Sequence, residues 1–381
     1  MKTSYRLAAP IYLDWNATAP LLPEAVEAMI HAAQVGWANP SSVHAFGRAA
    51  RGMVEQARVA VAELTGADPR DIIFTSGGTE ANNLALRSLF TQENQGILAL
   101  SRLEHPSVLR VAEQLERERK ARLRWLKIRP TGEIDLSDLA HALKQQSIRM
   151  VTLQAINHET GVIQPIEEAL QLIQNHPHTH LHCDAIQAFG KYHKPALGAD
   201  SRSIASHKIR GPKGIGALIL KPGISISPLL LGGSQERGMR PGTLDPVAAA
   251  GFAAAARYAL GLPERYARLS QLRDQLEREL LAIAVDARVN GKTGPRAPHI
   301  TSITWPHWKG DELAAALDLE GICISSGSAC SAGTIDPSPV IEAMYDRERA
   351  LASTRISLGD TTTAREIQEV LQGFRRVLTR R

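Results

Sequence analysis

Between residues 21 and 290, segments in which apolar residues recur at helical spacing alternate with short aliphatic or β-branched runs bounded by turn residues. That alternation predicts a mostly parallel sheet covered by helices, because parallel neighbours need a long crossover between them. The strand candidates are residues 72–75, 97–101, 123–128, 149–155, 180–183, 203–205 and 215–220, each ending near a polar or glycine-rich stretch. In open α/β sheets ligands sit beyond the carboxyl ends of the strands, so chemistry is expected in the loop at the end of each run. After Leu262-Pro263 the pattern changes. Leu269, Leu272, Leu276 and Leu280 lie three and four apart and define a helix with one apolar face. Beyond them come a strand-like run at residues 300–305, a helix over 311–319, a strand near Ile322, a Gly/Ser loop, a strand at 354–358 and a final helix. The new order predicts a smaller α+β domain of residues 1–11 and 261–381 beside a large domain of residues 12–260. No internal repeat or low-complexity tract is visible.

Composition narrows the class. With 381 residues, 44% of them hydrophobic, the chain can bury a substantial core, and a charged share of 22% excludes a disordered, collagenous or coiled-coil protein. The net charge of +5 is slight and the basic residues are interleaved with acids, so no nucleic-acid partner is expected. No run approaches the ~18 apolar residues of a membrane span. Lys2 and Arg6 are followed by only a brief apolar patch before Asp14, without a small-residue cleavage site, so no secretory signal is expected. An odd number of cysteines, 3, then suggests reduced thiols in the cytoplasm.

Four stretches could carry chemistry. Ser76-Gly77-Gly78-Thr79-Glu80 follows one strand candidate and opens a helix, a combination that offers free N–H groups and a helix dipole to a phosphate; an ordinary capped turn is the plainer alternative. Ser206-His207-Lys208 ends another strand ahead of a glycine-rich turn, where a lysine can be desolvated for Schiff-base chemistry or can be one more surface lysine. Asp184 follows a third strand and could pair with a cationic ring nitrogen or cap a helix. Together these are the attachment points of pyridoxal phosphate: phosphate, aldehyde and ring nitrogen. The run from His176 to His182 has no carboxylate or cysteine set to complete a metal site, and none is expected. The fourth stretch, Ser325 to Gly333, sets Cys330 in a small-residue, uncharged loop, whereas Cys183 and Cys323 sit in apolar strand patterns.

On these residues the chain resembles the NifS/IscS-type cysteine desulfurases, of the class V aminotransferase branch of fold-type I pyridoxal phosphate enzymes. The resemblance covers nearly the whole chain, through Leu13 to Pro20, Asn39-Pro40-Ser41-Ser42, Thr75 to Glu80, Glu104-His105, Asn157 to Gly161, Asp184 to Gln187, Ser206-His207-Lys208, Glu236 to Thr243, Ser325 to Cys330 and Arg355 to Gly359. It implies an α/β fold with a seven-stranded, mostly parallel mixed sheet in the large domain. It also implies that Lys208 bonds the cofactor's aldehyde, Asp184 keeps the pyridinium protonated, Gln187 bonds the ring hydroxyl and His105 stacks on the ring. Gly78, Thr79 and His207 would bind the phosphate, helped by Ser206, and Thr243 would reach the phosphate of the other subunit of a homodimer. Arg355 matches the grip on the substrate carboxylate, with Asn157 and His158 beside cofactor and substrate.

The implied reaction takes sulfur from L-cysteine, with the freed Lys208 removing the Cα proton, His105 assisting, and Cys330 attacking the substrate sulfur to leave alanine and an enzyme persulfide for an acceptor protein. Gly327 and Gly333 would let the Cys330 loop enter and leave the site. Two positions depart from the family pattern: His158 stands where a second asparagine is usual, and Ala205 where a serine commonly assists the phosphate. The chain stops at Arg381, shorter than family members whose tail helps dock a scaffold, so delivery to an iron–sulfur scaffold is a weaker expectation than desulfuration. The other readings are a class V aminotransferase, a C–S lyase acting on cystine-like substrates, and a sulfur carrier or assembly partner without catalysis.

Overall fold

The computed structural model describes residues 10–91, 95–193, 198–326 and 337–379. Cys330, Gly327 and Gly333 lie outside the described residues. The strands in chain order are β1 (Ile11–Tyr12), β2 (Ile72–Thr75), β3 (Gly96–Leu100), β4 (Ala121–Trp125), β5 (Ile148–Gln154), β6 (His180–Asp184), β7 (Ser201–Ala205), β8 (Gly216–Leu220), β9 (Arg288–Val289), β10 (Ile300–Thr304), β11 (Ile322–Cys323) and β12 (Ser353–Ser357). Seven of them form one sheet in the order β2-β8-β7-β6-β5-β3-β4. All neighbours in it are parallel except β8, which runs antiparallel to both β2 and β7.

Strand periodicity explains how this sheet is buried on both faces. Ile72, Phe74, Ile97, Ala99, Ala217 and Ile219 join one apolar cluster, and the intervening Ile73, Leu98, Leu100, Leu218 and Leu220 join another. Successive side chains of a strand point to opposite faces, and helices Gly78–Leu89 and Pro106–Arg117 cover the second of them. The first cluster continues past Val151 and Leu153 to Ile300, Ile303 and Ile356 of a three-stranded antiparallel sheet, β12-β10-β9. Helix Ala364–Leu378 closes that sheet. A capping box between Thr363 and Glu366 starts it, Ile367, Val370, Leu371 and Phe374 make its buried stripe, and Phe374 stacks on Trp305 at 5.4 Å.

The strands keep closely to the sequence pattern, with one instructive offset. The candidate at residues 123–128 is β4 at Ala121–Trp125, and Ile128 pairs only as an isolated bridge with Ile134 across a turn in which Gly132 has φ 90°. Asp184 extends β6 by one residue, opposite Gln154 on one side and Ser203 on the other. That register brings Thr75, Asp184 and Ala205 to one end of the sheet, since Thr75 and Ala205 both pair with Gly216. Among the described residues no helix is long and apolar enough to cross a membrane.

Candidate active site

The first wall of the site is the turn between β2 and helix Gly78–Leu89. Gly77 has φ 152°, a conformation L side chains rarely adopt, and a Cβ on Gly78 would lie 2.1 Å from Ile186 Cδ1. The helix therefore begins with bare backbone, and the N–H groups of its first turn have no intrahelical carbonyl to bond. Glu80 braces the turn. Its Oε2 accepts from Ser76 N at 2.5 Å, and Arg240 donates to Oε1 and Oε2 at 2.8 and 3.2 Å. Burial opposes ionisation of this carboxyl, but the Arg240 and Ser76 bonds outweigh it and lower its pKa.

Asp184 and Gln187 make the second wall. Asp184 Oδ1 accepts from Ile186 N at 3.0 Å and Oδ2 from Asn82 Nδ2 at 2.9 Å, and burial raises the pKa of the carboxyl despite these bonds. A cation placed against it would reverse that shift. Gln187 Nε2 donates to Asn16 O at 3.0 Å, leaving its buried Oε1 with no donor among the described residues. His105 caps helix Pro106–Arg117, and its ring meets that of His158 edge to face at 5.1 Å. Burial, then the charges of His158 and Lys208, depress the pKa of His105 to about 3, so its ring is neutral.

Lys208 comes from the 3-10 turn Ser206–Ile209 at the end of β7, and its Nζ donates to Asn16 O and Ala17 O at 2.6 and 2.9 Å. Beside it His207 faces Thr18 Oγ1 at 3.2 Å and is held neutral, its pKa near 3 through burial and then the Lys208, Lys191 and Lys213 charges. These elements enclose a cavity of about 250 Å³, lined by Gly78, Thr79, His105, His158, Asp184, Gln187, His207 and Lys208 together with Ser107, Gln154, Ile156, Ile186 and Ala205. Sequence reasoning gave no role to Asn16, Asn82 or Ser107. Asn16 and Asn82 act through hydrogen bonds to residues far away in the chain, and no spacing rule reports those.

Not every expected residue lines this cavity. Ser206 Oγ is buried against Gly211, and Thr243 is exposed on the segment after Gly242. Asn157 uses its Oδ1 to accept from Glu159 N, Thr160 N and Thr160 Oγ1 and its Nδ2 to reach Leu103 O, so it shapes a turn. Arg355 on β12 donates to Asp14 Oδ1 at 2.5 Å and to the carbonyl of His158 at 3.0 Å, with its buried Nε unpartnered among the described residues. Asp14 thus holds the guanidinium expected to meet a substrate carboxylate. Among the described residues no group of histidine, cysteine and acidic side chains could hold a metal ion.

The segment before Thr243 is strained and pinned. Glu236 and Arg237 adopt φ of 47° and 57°, and Glu236 is fixed by a bidentate pair with buried Arg58, at 2.6 and 2.9 Å, and by Phe74 N at 2.7 Å. Glu236→Ala leaves Arg58 with Glu55 as its remaining carboxylate and an N–H of β2 without its acceptor, which should cost about 2–3 kcal/mol. Urea unfolding of the variant checks this, and a loss under about 1 kcal/mol would show the pair to be dispensable.

The residues fit a phosphorylated pyridine aldehyde: a bare helix start for phosphate, an orphaned Gln187 Oε1 for a hydroxyl, a buried carboxylate for a ring cation and an amine for a carbonyl. A sheet of this order with these groups at one end is the fold-type I transferase arrangement. The chain belongs to the aminotransferase class-V family, which it matches over residues 11–370. It is 38% identical over 375 residues to a cysteine desulfurase of Trichormus azollae, covering 97% of this chain and 93% of that one. Its fold is similar to that of a NifS-like protein, with a TM-score of 0.90 at 29% identity, over 98% of this chain and 100% of the other. It is also similar to SspA in complex with cysteine, with a TM-score of 0.79 at 28% identity, covering 93% and 100%.

Proposed function

We propose that this chain is a cysteine desulfurase that works with pyridoxal 5'-phosphate, in two domains divided near residue 260. The observation that carries the reading is the meeting of Gly78, Thr79, His105, Asp184, Gln187 and Lys208 around one cavity. The similarity to cysteine desulfurases over nearly the whole chain supports cysteine as the substrate. When bound, pyridoxal phosphate would supply an electron sink for charge developing at the substrate's α-carbon. Asp184 would hold a proton at the ring nitrogen, Gln187 would orient the ring through its hydroxyl, and neutral His105 would cover the ring face. The Gly78 and Thr79 N–H groups and His207 would take the phosphate. Lys208 would bind the cofactor's carbonyl carbon and, once displaced by substrate, take the α-proton at Nζ. Arg355 would reach the substrate carboxylate, with His158 beside it.

The net change balances as L-cysteine and the Cys330 thiol giving alanine and a Cys330 persulfide. A sulfur–sulfur bond forms and the substrate's carbon–sulfur bond breaks, so the sulfur is oxidised, the carbon is reduced and two protons end on alanine's carbon and on the persulfide. A reducing compartment such as the cytoplasm belongs to the reading, because Cys330 must return as a thiol after handing sulfur to an acceptor protein for iron–sulfur clusters or thiolated products. A homodimer is supported by apolar side chains left in solvent, with Trp37, Val43 and Phe46 exposed by 68%, 84% and 58% and the rings of Trp37 and Phe46 5.4 Å apart. The test supplies L-cysteine to the full chain with the cofactor. Alanine in equal yield to sulfide released by a reductant, with one sulfur added to the Cys330 peptide mass, is expected; pyruvate and ammonia in place of alanine would overturn the reading.

A further inference from the structure

Asn82 is fully buried in helix Gly78–Leu89, behind the cavity. Its Nδ2 donates to Asp184 Oδ2 at 2.9 Å and to Ser107 Oγ at 2.8 Å, and its Oδ1 accepts from His182 Nε2 at 3.0 Å. A carboxylate only accepts, so the amide nitrogen has to face Asp184, and that choice decides every proton in the surrounding chain. His182 carries its proton on Nε2, where Ser203 Oγ also stands at 3.5 Å. Its Nδ1 accepts from the Ser201 hydroxyl at 2.8 Å, and Ser201 Oγ accepts from His180 Nε2 at 2.8 Å. In the other direction Ser107 Oγ accepts from Asn82 and donates to His105 Nδ1 at 2.8 Å, which also accepts from Ser107 N at 3.1 Å. A ring nitrogen that takes two donors is unprotonated, so His105 carries its proton on Nε2.

We propose that Asn82 is a positioning residue that fixes the carboxylate of Asp184, with His182, Ser201 and His180 fixing the direction of its own amide. The inference rests on the cofactor role assigned above to Asp184. Burial holds His180 near pKa 4 and His182 near 3, which keeps both rings neutral as the hydrogen-bond pattern requires. An amide passes no proton along such a chain, so the network orients its two ends and does not conduct between them. Without Asn82 the Asp184 carboxylate loses the donor that fixes its orientation, so it becomes more basic but faces the ring nitrogen less consistently.

The test compares Asn82→Ala, His182→Phe and His182→Gln on the full chain, with and without added pyridoxal phosphate. Nitrogen-15 spectra of the histidine rings should show His105 and His182 as single Nε2–H tautomers in the parent protein. In Asn82→Ala, His182 should sample both tautomers, and in Asn82→Ala and His182→Phe the pH titration of the bound cofactor's visible band should move by about one unit, a tenfold change in proton affinity. His182→Gln keeps an N–H for Asn82 Oδ1 and should restore the parent values. Parent tautomers and an unmoved titration in folded Asn82→Ala overturn the proposal; if that variant does not fold, an unmoved titration in His182→Phe does so. A chain that takes up no pyridoxal phosphate or releases no alanine refutes the functional reading instead, while the tautomers read without cofactor still decide this one.

Discussion

Lys208→Ala is expected to give a folded protein that converts L-cysteine to alanine roughly a thousandfold more slowly, the usual scale for removing a group that moves a proton in the rate-determining step. Folding should survive because the bonds of Lys208 Nζ to the Asn16 and Ala17 carbonyls are made to backbone groups, whose loss costs about 1–3 kcal/mol. Among the described residues that line the cavity, Lys208 is the single amine. The competing lysine is Lys191, buried four residues after Gln187, with its Nζ 5.6 Å from the Tyr266 ring centroid and without a hydrogen-bond partner among the described residues. Burial and then the charge of Lys208 depress its pKa to about 7, which would suit an amine nucleophile. Borohydride reduction and then peptide mass mapping separates the two. The cofactor's mass should appear on Lys208 in the parent protein and vanish in Lys208→Ala, with turnover lost alongside it. Labelling at Lys191 with turnover kept in Lys208→Ala would move the attachment point to Lys191.

That contrast shows what residue order can and cannot carry. The strands were legible because a sheet buried on both faces leaves uninterrupted aliphatic runs, and the phosphate turn was legible because Gly77 and Gly78 meet a conformation and a contact that other residues resist. The direction of β8 was not legible, since a run such as Gly216–Leu220 reads the same whether it is parallel or antiparallel. Nor could spacing separate Lys191 from Lys208, because what distinguishes them is which one the fold turns toward the cavity.

The residues that sequence reasoning overlooked share a physical cause. Asn16 acts through its backbone carbonyl, which every residue possesses, and the bonds it receives come from Gln187 and Lys208. Asn82 acts by orienting other side chains and touches the cavity nowhere. Asp14 binds Arg355, a partner 341 positions away, so the guanidinium is already engaged with one carboxylate. A guanidinium fork reads from sequence as an empty grip; the structure shows that a substrate carboxylate would have to share it with Asp14 or take its place.

Cys330→Ala should retain the cofactor spectrum of the parent protein and its response to L-cysteine, yet lower alanine release roughly a thousandfold and abolish the added sulfur on the Cys330 peptide. The other two cysteines cannot replace it. Burial, then the Asp184 and Glu104 carboxylates, push the Cys183 thiol well above its ordinary pKa, and burial together with the hydrogen bond to Asp318 raises that of Cys323, so neither offers a ready thiolate. Cys330 itself is four residues beyond Ser326, a stretch that spans at most about 14 Å. Both flanks of its segment are tied to one turn beside the cavity: Ser325 pairs with Arg355, which donates to the carbonyl of His158, and the Ser338 hydroxyl donates to Glu159. The described flanks of the segment that carries Cys330 therefore end beside the cavity, as sulfur transfer to that residue requires, and alanine cannot form without a group to take the sulfur. Two results separate the readings that share this fold. Loss of alanine with an unchanged spectrum assigns sulfur transfer to Cys330, whereas undiminished consumption of cysteine in Cys330→Ala would make the thiol incidental and turn the site into that of a C–S lyase or aminotransferase.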